Sequence, residues 1–437
     1  MPTLTFPLSR IEGHARVEIE IRDGQVISTR FQAMEKRGFN LMVQGVPAEQ
    51  MPVIVPRICG VCSTAHHVAA VKALENAYGV EPPALADDLR ELLLLGQLIQ
   101  NQATSLFVFT MPDRLGVDSI FHITAEEADA TAQFKIARRA LKLRQLGTDL
   151  ISLAGGQFIH PVKAVVGGMS SGIAAEPAET FRTRLLESLA VACELVEFYW
   201  DISLRMRDRI GSWGDDQPAF YITSTGRDAP RYNSDIIRVM TPRGVCCREF
   251  TAGDFRNYLT FETTDYSYAG RTSYEGGVMR ANSLARANMT RTMGTQLAGE
   301  FLRHLREEFG HPAHPILLFD LCRGIELVYA IERAAALLEA PLDVENPHVA
   351  YTPRDGEGWG LVEAPRGPLI HHYVVEKGTI ALGEFIIPTV HNMLAIERAL
   401  RVAAERYITA DSVNLELERA VGRVVRAFDP CIACATH

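Results

Sequence analysis

Arg57-Ile58-Cys59-Gly60-Val61-Cys62-Ser63-Thr64-Ala65-His66 and Asp429-Pro430-Cys431-Ile432-Ala433-Cys434-Ala435-Thr436-His437 stand near opposite ends of the chain. Each holds a Cys-x-x-Cys with a His shortly after the second Cys. One such pair is a redox dithiol or half of a zinc site. Two pairs offer four thiolates, a set suited to zinc, an iron–sulfur cluster or nickel, and spacing alone leaves these metals open. A zinc ribbon keeps its pairs within one small module, whereas here nearly the whole chain lies between them. A large folded body must bring them together, and the C-terminal segment must be buried rather than frayed.

The flanks narrow the choice. RxCGxCxxxH near the start and DPCxxCxxH at the end resemble the paired signatures of nickel–iron hydrogenase large subunits. Arg10-Ile11-Glu12-Gly13-His14 is similar to that family's RIEGH box, Glu363-Ala364-Pro365-Arg366-Gly367 to its EAPRG box, and Pro388-Thr389-Val390-His391-Asn392 to its PTxxN segment. The resemblance implies that Cys59, Cys62, Cys431 and Cys434 bind nickel. Cys59 and Cys431 would be terminal ligands, and Cys62 and Cys434 would also bridge to an iron carrying carbon monoxide and cyanide. It sets Pro365, Thr389, His66 and Asp429 around the cofactor, with Thr389 donating its hydroxyl to a cyanide. Arg366 would overhang the open side, available to pair with Asp429 or Asp113. Cys431 and then Glu12 would carry the proton of heterolytic dihydrogen cleavage; a carboxylate near thiolates has a raised pKa, which suits a relay.

In relatives a Glu ends the box that reads Arg37-Gly38-Phe39-Asn40 here, and with the C-terminal His it binds a magnesium-like ion. Asn40 and His437 are the matching positions; an amide oxygen ligates a hard cation but brings no charge. Asn101-Gln102 stand where relatives carry histidines, so either support of the site or satisfaction within a helix bundle fits them. His160, His371 and His372 read as structural.

At 437 residues and 47% hydrophobic, the chain can bury a sizeable core. The expected fold is mainly α with smaller β parts (α+β). It is a long-helix bundle in one domain over 1–437, with an N-terminal β-hairpin around Asp23-Gly24 and a β-containing insertion near 211–277. Helices are expected over Ala65–Ala77, Leu85–Phe109, Ala125–Ala154, Pro177–Ile210, Ala281–Glu308, Asp320–Leu338 and Ser412–Ala427, with another begun by Asn392. A β-hairpin is expected around Glu376-Lys377-Gly378. A net charge of −9 and the lack of a basic run argue against a nucleic-acid partner. The apolar stretch from Leu92 is interrupted by Gln97, Gln100, Asn101 and Gln102 and reads as a buried helix rather than a membrane span. No signal peptide is legible at Met1, and free thiols at Cys193, Cys246, Cys247 and Cys322 suit a cytoplasmic setting.

None of those four cysteines makes a cluster-binding pattern, so electrons must leave through another chain. The resemblance implies a partner iron–sulfur small subunit, further flavin or iron–sulfur subunits, and a soluble acceptor such as NAD(P). The alternatives are the large subunit of a membrane-bound energy-converting hydrogenase and a non-catalytic structural relative; four intact cysteines argue against the latter. Relatives lose a C-terminal extension after the position of His437.

Overall fold

The computed structural model describes residues 3–124, 126, 132–208, 217–342, 347–408 and 416–436. Leucine- and alanine-rich stretches with apolar residues at every third or fourth position wind into the long helices Ala84–Thr104, Ala132–Gly155, Ala175–Arg205 and Leu318–Leu337. The first packs against Ala132–Gly155 and Leu318–Leu337, and the last of these packs in turn on Ala175–Arg205. Leu92, Leu93, Leu95, Leu98 and Ile99 are fully buried at this crossing, each stabilising the bundle by about 1.5–3 kcal/mol. The continuous stretch Ala84–Leu115 is long and apolar enough to cross a membrane by composition, yet 83% of its most apolar window lies inside the fold.

Among the described residues, three β-sheets of three or more strands flank the bundle. Asp23 and Gly24, both at positive φ (50° and 72°), turn the hairpin Ala15–Arg22/Gln25–Ala33 as a right-twisted pair requires. Thr3–Pro7 adds a third strand that the sequence did not reveal. The expected insertion contains the strands Phe220–Thr223, Ile236–Met240 and Cys246–Thr251, with the hairpin Leu259–Glu262/Arg271–Tyr274 beside them, and the edge strand Met279–Arg280 that completes their sheet next to Phe220–Thr223 lies just past its expected end. Its residues 211–216 lie outside the described ones. The third sheet runs Gly356–Ala364, Gly367–Glu376, Thr379–Ile386, and its first turn is Pro365-Arg366.

That sheet carries the helix Ser63–Tyr78 directly on its surface. Gly356, Gly358 and Gly360 alternate along one face of the strand. A Cβ at these positions would meet Ala77 O at 2.4 Å, Ala73 O at 2.3 Å and Ala69 O at 2.0 Å. Only glycine lets the helix backbone approach so closely.

Several expected boundaries are corrected. The apolar helix does not stop before Pro112. A π-turn at Ser105–Thr110 passes it into Met111–Leu115, where Pro112 sits in the first turn and lacks no needed N–H. The single helix expected over Ala281–Glu308 is two, Ser283–Met289 and Gln296–Phe309, parted at Gly294 (φ 71°). Asn392 does not open its helix. Pro388 does, and the Asn392 side chain instead joins the backbone N–H and O of Ala281 at 2.8 and 2.6 Å. Of the expected helices, Ala125 and 127–131, 209–210 and 412–415 fall outside the described residues.

Candidate metal centre

The helix Glu416–Phe428 ends at Asp429, whose φ of +50° turns the chain sharply into the second Cys-x-x-Cys. A left-handed Asp directly before a proline is a strained choice that surrounding bonds must hold. Arg366 supplies them: its Nε donates to the Asp429 carbonyl, and its terminal nitrogen donates to Asp429 Oδ1 at 3.1 Å. Asn101 Nδ2 donates to Asp429 Oδ2 at 3.3 Å. Gln102 turns away to Glu326 (2.6 Å), so of the two amides one supports the site and the other the bundle.

The turn delivers Cys431 and Cys434 onto Cys59 and Cys62. All four sulfurs lie within 4.8 Å of one another and all four residues are buried. Cys59 and Cys431 sulfurs are 3.3 Å apart, Cys62 and Cys434 2.9 Å, Cys431 and Cys434 2.9 Å. Hydrogen bonds from Cys431, Cys434 and Cys62 pull the Cys59 thiol well down, while burial pushes Cys62, Cys431 and Cys434 up. A cluster sharing too few protons among four buried soft donors is the donor set that a thiophilic cation completes.

The RIEGH segment seals one side. Glu12 and Cys431 form a parallel bridge, with Ile432 N–H donating to Glu12 O at 3.0 Å. Gly13 (φ 84°) makes this approach feasible: a Cβ there would sit 2.9 Å from Ile432 Cβ. The Glu12 carboxylate accepts from Cys431 Sγ (3.0 Å) and Ala433 N–H (3.1 Å), and burial, then the Cys59 charge, raises its pKa.

On another side is a small cavity of about 10 Å³ lined by Cys62, Cys431 and Cys434 but not Cys59. Ala364, Pro365, Leu369, Ile387 and Pro388 make its wall apolar, and His66, Arg366 and Thr389 reach it with polar groups. Thr389 Oγ1 accepts from Cys431 N–H at 3.0 Å, which leaves its own proton free to donate. For Arg366, burial opposes the charge but Asp429 and the thiols outweigh it, so the guanidinium is held firmly protonated.

Glu12, His66, Pro365, Arg366, Thr389 and Asp429 thus gather around the four cysteines. Asp113, the other partner considered for Arg366, is taken by Arg10 (2.5 Å) and Arg426 (2.7 Å). Asn40 stands apart in the short helix Phe39–Met42, its Oδ1 a buried acceptor with no partner among the described residues; nearby, Arg37 N–H donates to Thr436 O at 2.7 Å. His437 lies outside the described residues. Glu35 bonds His14 (2.5 Å). Cys246 and Cys247 alternate along an exposed strand, and among the described residues only the four-cysteine cluster gathers donors for a metal.

Sequence reasoning missed Arg286. It is fully buried between Glu326 and Glu363 (2.6 and 2.7 Å) and donates to the Pro365 carbonyl (2.7 Å), so it fixes the turn that carries Arg366. The Glu of the EAPRG box was the available signal, since a buried carboxylate requires a cation.

A fold that buries four thiols where two segments distant in sequence meet offers a thiolate metal site. The family model for nickel-dependent hydrogenase matches residues 37–139 and 225–437, and one described as HoxL-like matches residues 6–35. The chain belongs to the nickel-dependent hydrogenases, as their catalytic subunit, an oxidoreductase acting on hydrogen. It is 33% identical over 408 residues to a subunit of the vhu F420-non-reducing hydrogenase of Methanococcus voltae, covering 91% of this chain and 97% of that one. The beta subunit of the NAD-reducing hydrogenase HoxS of Cupriavidus necator is 29% identical over 463 residues, covering 99% and 93%. A crystal structure of an NAD+-reducing nickel–iron hydrogenase in the H2-reduced state is similar over the full length of both chains, with a TM-score of 0.91 and 29% identity.

Proposed function

We propose that the four cysteines hold a nickel–iron centre for reversible heterolytic cleavage of dihydrogen, with Cys59 and Cys431 terminal on nickel and Cys62 and Cys434 shared with iron. The observation that carries this is the gathering of four buried sulfurs within 4.8 Å of one another beside a cavity that Cys62, Cys431 and Cys434 line. Its apolar wall with a few donors suits small iron-bound carbon monoxide and cyanide, because buried anionic ligands need hydrogen bonds. When bound, the centre supplies Lewis acidity and redox capacity to polarise dihydrogen.

The chain's own groups manage the proton. Cys431 Sγ takes it and passes it 3.0 Å to Glu12 Oε2, whose raised pKa makes the carboxylate a readier proton acceptor. Arg366, locked by Asp429, contributes a cation that does not reorganise as charge develops. Thr389 donates toward the cavity. Asn40 Oδ1, with His437, would ligate a magnesium-like ion; the orphaned acceptor fits a hard cation.

Electrons leave to an iron–sulfur small subunit, then through flavin or iron–sulfur subunits to a soluble cytoplasmic acceptor such as NAD(P). The absence of a second metal-ligating cluster among the described residues supports the partner, and the NAD named in the Cupriavidus necator relative supports the acceptor. Exposed Leu41, Met42 and Val53, close in sequence to the first Cys pair, offer apolar surface for such a partner.

The test is an infrared spectrum of the purified, metal-loaded protein in the carbon monoxide and cyanide stretching region. Bands there support the centre; a blank spectrum from nickel-replete protein refutes it.

A further inference from the structure

We propose that Tyr373, acting through His371, fixes His66 as an N–H donor facing the metal-site cavity, which makes Tyr373 and His371 positioning residues. The inference rests on the reading of the four cysteines as the metal centre. All three side chains are buried, at 0%, 0% and 1% exposure for Tyr373, His371 and His66. They form one line: Tyr373 Oη lies 2.7 Å from His371 Nδ1, and His371 Nε2 lies 2.9 Å from His66 Nδ1.

Proton counting gives the line a direction. The phenol has one proton, and among the described residues His371 Nδ1 is the only hydrogen-bond partner of its oxygen. If His371 Nδ1 were the donor, the buried phenol proton would have no acceptor, an arrangement that folded proteins avoid. The O–H therefore donates, His371 Nδ1 accepts, and the neutral ring carries its proton on Nε2. That Nε2–H donates to His66 Nδ1, which leaves the His66 proton on its own Nε2. His66 lines the cavity together with Cys62, Cys434 and Thr389. There the ring presents an N–H, complementary to thiolate sulfur and to anionic ligands, rather than a lone pair that would compete for the metal.

Secondary structure explains the line's rigidity. His371 and Tyr373 are two residues apart on the strand Gly367–Glu376, so they share one face. Phe385, on the next strand, closes edge-on over His371 with ring centroids 4.8 Å apart. His372 points the other way, bonded to Glu357 and Glu384 at 2.8 Å each and stacked on Trp359. The two adjacent histidines thus divide their tasks by strand alternation.

The experiment uses Tyr373→Phe, which keeps the ring and deletes the proton, and Phe385→Leu, which loosens packing on His371 without touching a hydrogen bond. In the full chain labelled with nitrogen-15 histidine, NMR should show Nε2 protonated and Nδ1 bare at both His66 and His371. In Tyr373→Phe both rings should become tautomer mixtures. Protonated Nδ1 at either ring of the unaltered chain, or an unchanged pattern in Tyr373→Phe, overturns the proposal. In the metal-loaded protein, Tyr373→Phe should shift the iron-ligand infrared bands at unchanged nickel content and lower kcat about fivefold, the worth of one ordinary hydrogen bond. Phe385→Leu should leave the bands in place. Unmoved bands in Tyr373→Phe overturn the link to the centre. Bands missing from the unaltered protein refute the nickel–iron reading instead, and the histidine tautomers still decide the relay.

Discussion

Replacing Gly360 by Ala tests whether the closeness of the Ser63–Tyr78 helix to its supporting strand holds the metal site in shape. The added methyl would stand 2.0 Å from Ala69 O, 2.6 Å from Ala73 N and 3.0 Å from Ala69 C, where ordinary contact begins at 3.4 Å. Every clashing atom is helix backbone, so no side chain can swing aside, and the helix must retreat by more than an ångström. Overpacking a core ordinarily costs about 1–3 kcal/mol, and the upper end applies here because backbone must move. For a chain this long that is a fall in Tm of about 5 °C. Ala69 is one turn beyond His66 and two beyond Cys62, so the retreat also displaces half of the sulfur cluster. Thermal unfolding together with nickel analysis of purified Gly360→Ala protein reads both effects. A variant with unchanged Tm and full nickel content would refute the reasoning.

Four further outcomes are expected. Serine at Cys59, Cys62, Cys431 or Cys434 should abolish nickel retention, whereas Cys246→Ser and Cys247→Ser should leave it whole; elemental analysis separates the two sets. Glu12→Gln should lower kcat by about 10²-fold or more while nickel content and infrared bands hold, and equal kcat would exclude Glu12 from the proton path. Arg366→Lys keeps the charge but cannot bond both the carbonyl and the carboxylate of Asp429, so steady-state assays should show kcat down about tenfold with nickel retained. Burial holds the His67 and His391 imidazoles down to about 4, against 6.5 in an open chain. Below 6.5 the unfolded chain binds protons that the folded chain refuses. Stability is therefore complete above pH 6.5 and lost as pH falls toward 4, by about 2 kcal/mol per histidine between pH 7 and 5. Urea midpoints at the two pH values measure this, and His67→Gln with His391→Gln should flatten the difference.

The parts legible in the sequence were those whose chemistry is compressed into a few consecutive residues. The two Cys-x-x-Cys pairs, the Pro365-Arg366 turn and the Asp23-Gly24 hairpin each announce themselves within about ten positions. Asp429 was named for the site, yet the choice of Arg366 between it and Asp113 was open, because an ion pair spanning 63 residues leaves no periodic trace. The same holds for Arg286 with Glu326 and Glu363, which reads as three ordinary charged residues until the fold buries them together. Local signals also misled where tertiary context overrode them. Pro112 looked like a stop and was absorbed by a π-turn, and the stretch from Ala281 looked continuous although Gly294 divides it. The glycines of Gly356-Glu357-Gly358-Trp359-Gly360 carried no meaning until a helix lay across them.

The ligand pairs that meet at the centre lie 372 residues apart, and this separation sets a timetable. Synthesis at about 5–20 residues per second leaves Cys59 and Cys62 waiting roughly 20 to 75 s for their counterparts. Throughout that interval only two of the four thiols exist, a half-site that soft ions visit but do not hold firmly. The closing contact, the edge of Ile432 against Glu12, forms after every helix of the bundle has been made. Completion of the centre is thereby coupled to synthesis of the second Cys-x-x-Cys, and a molecule that stops short of Cys434 has no means of sealing metal inside.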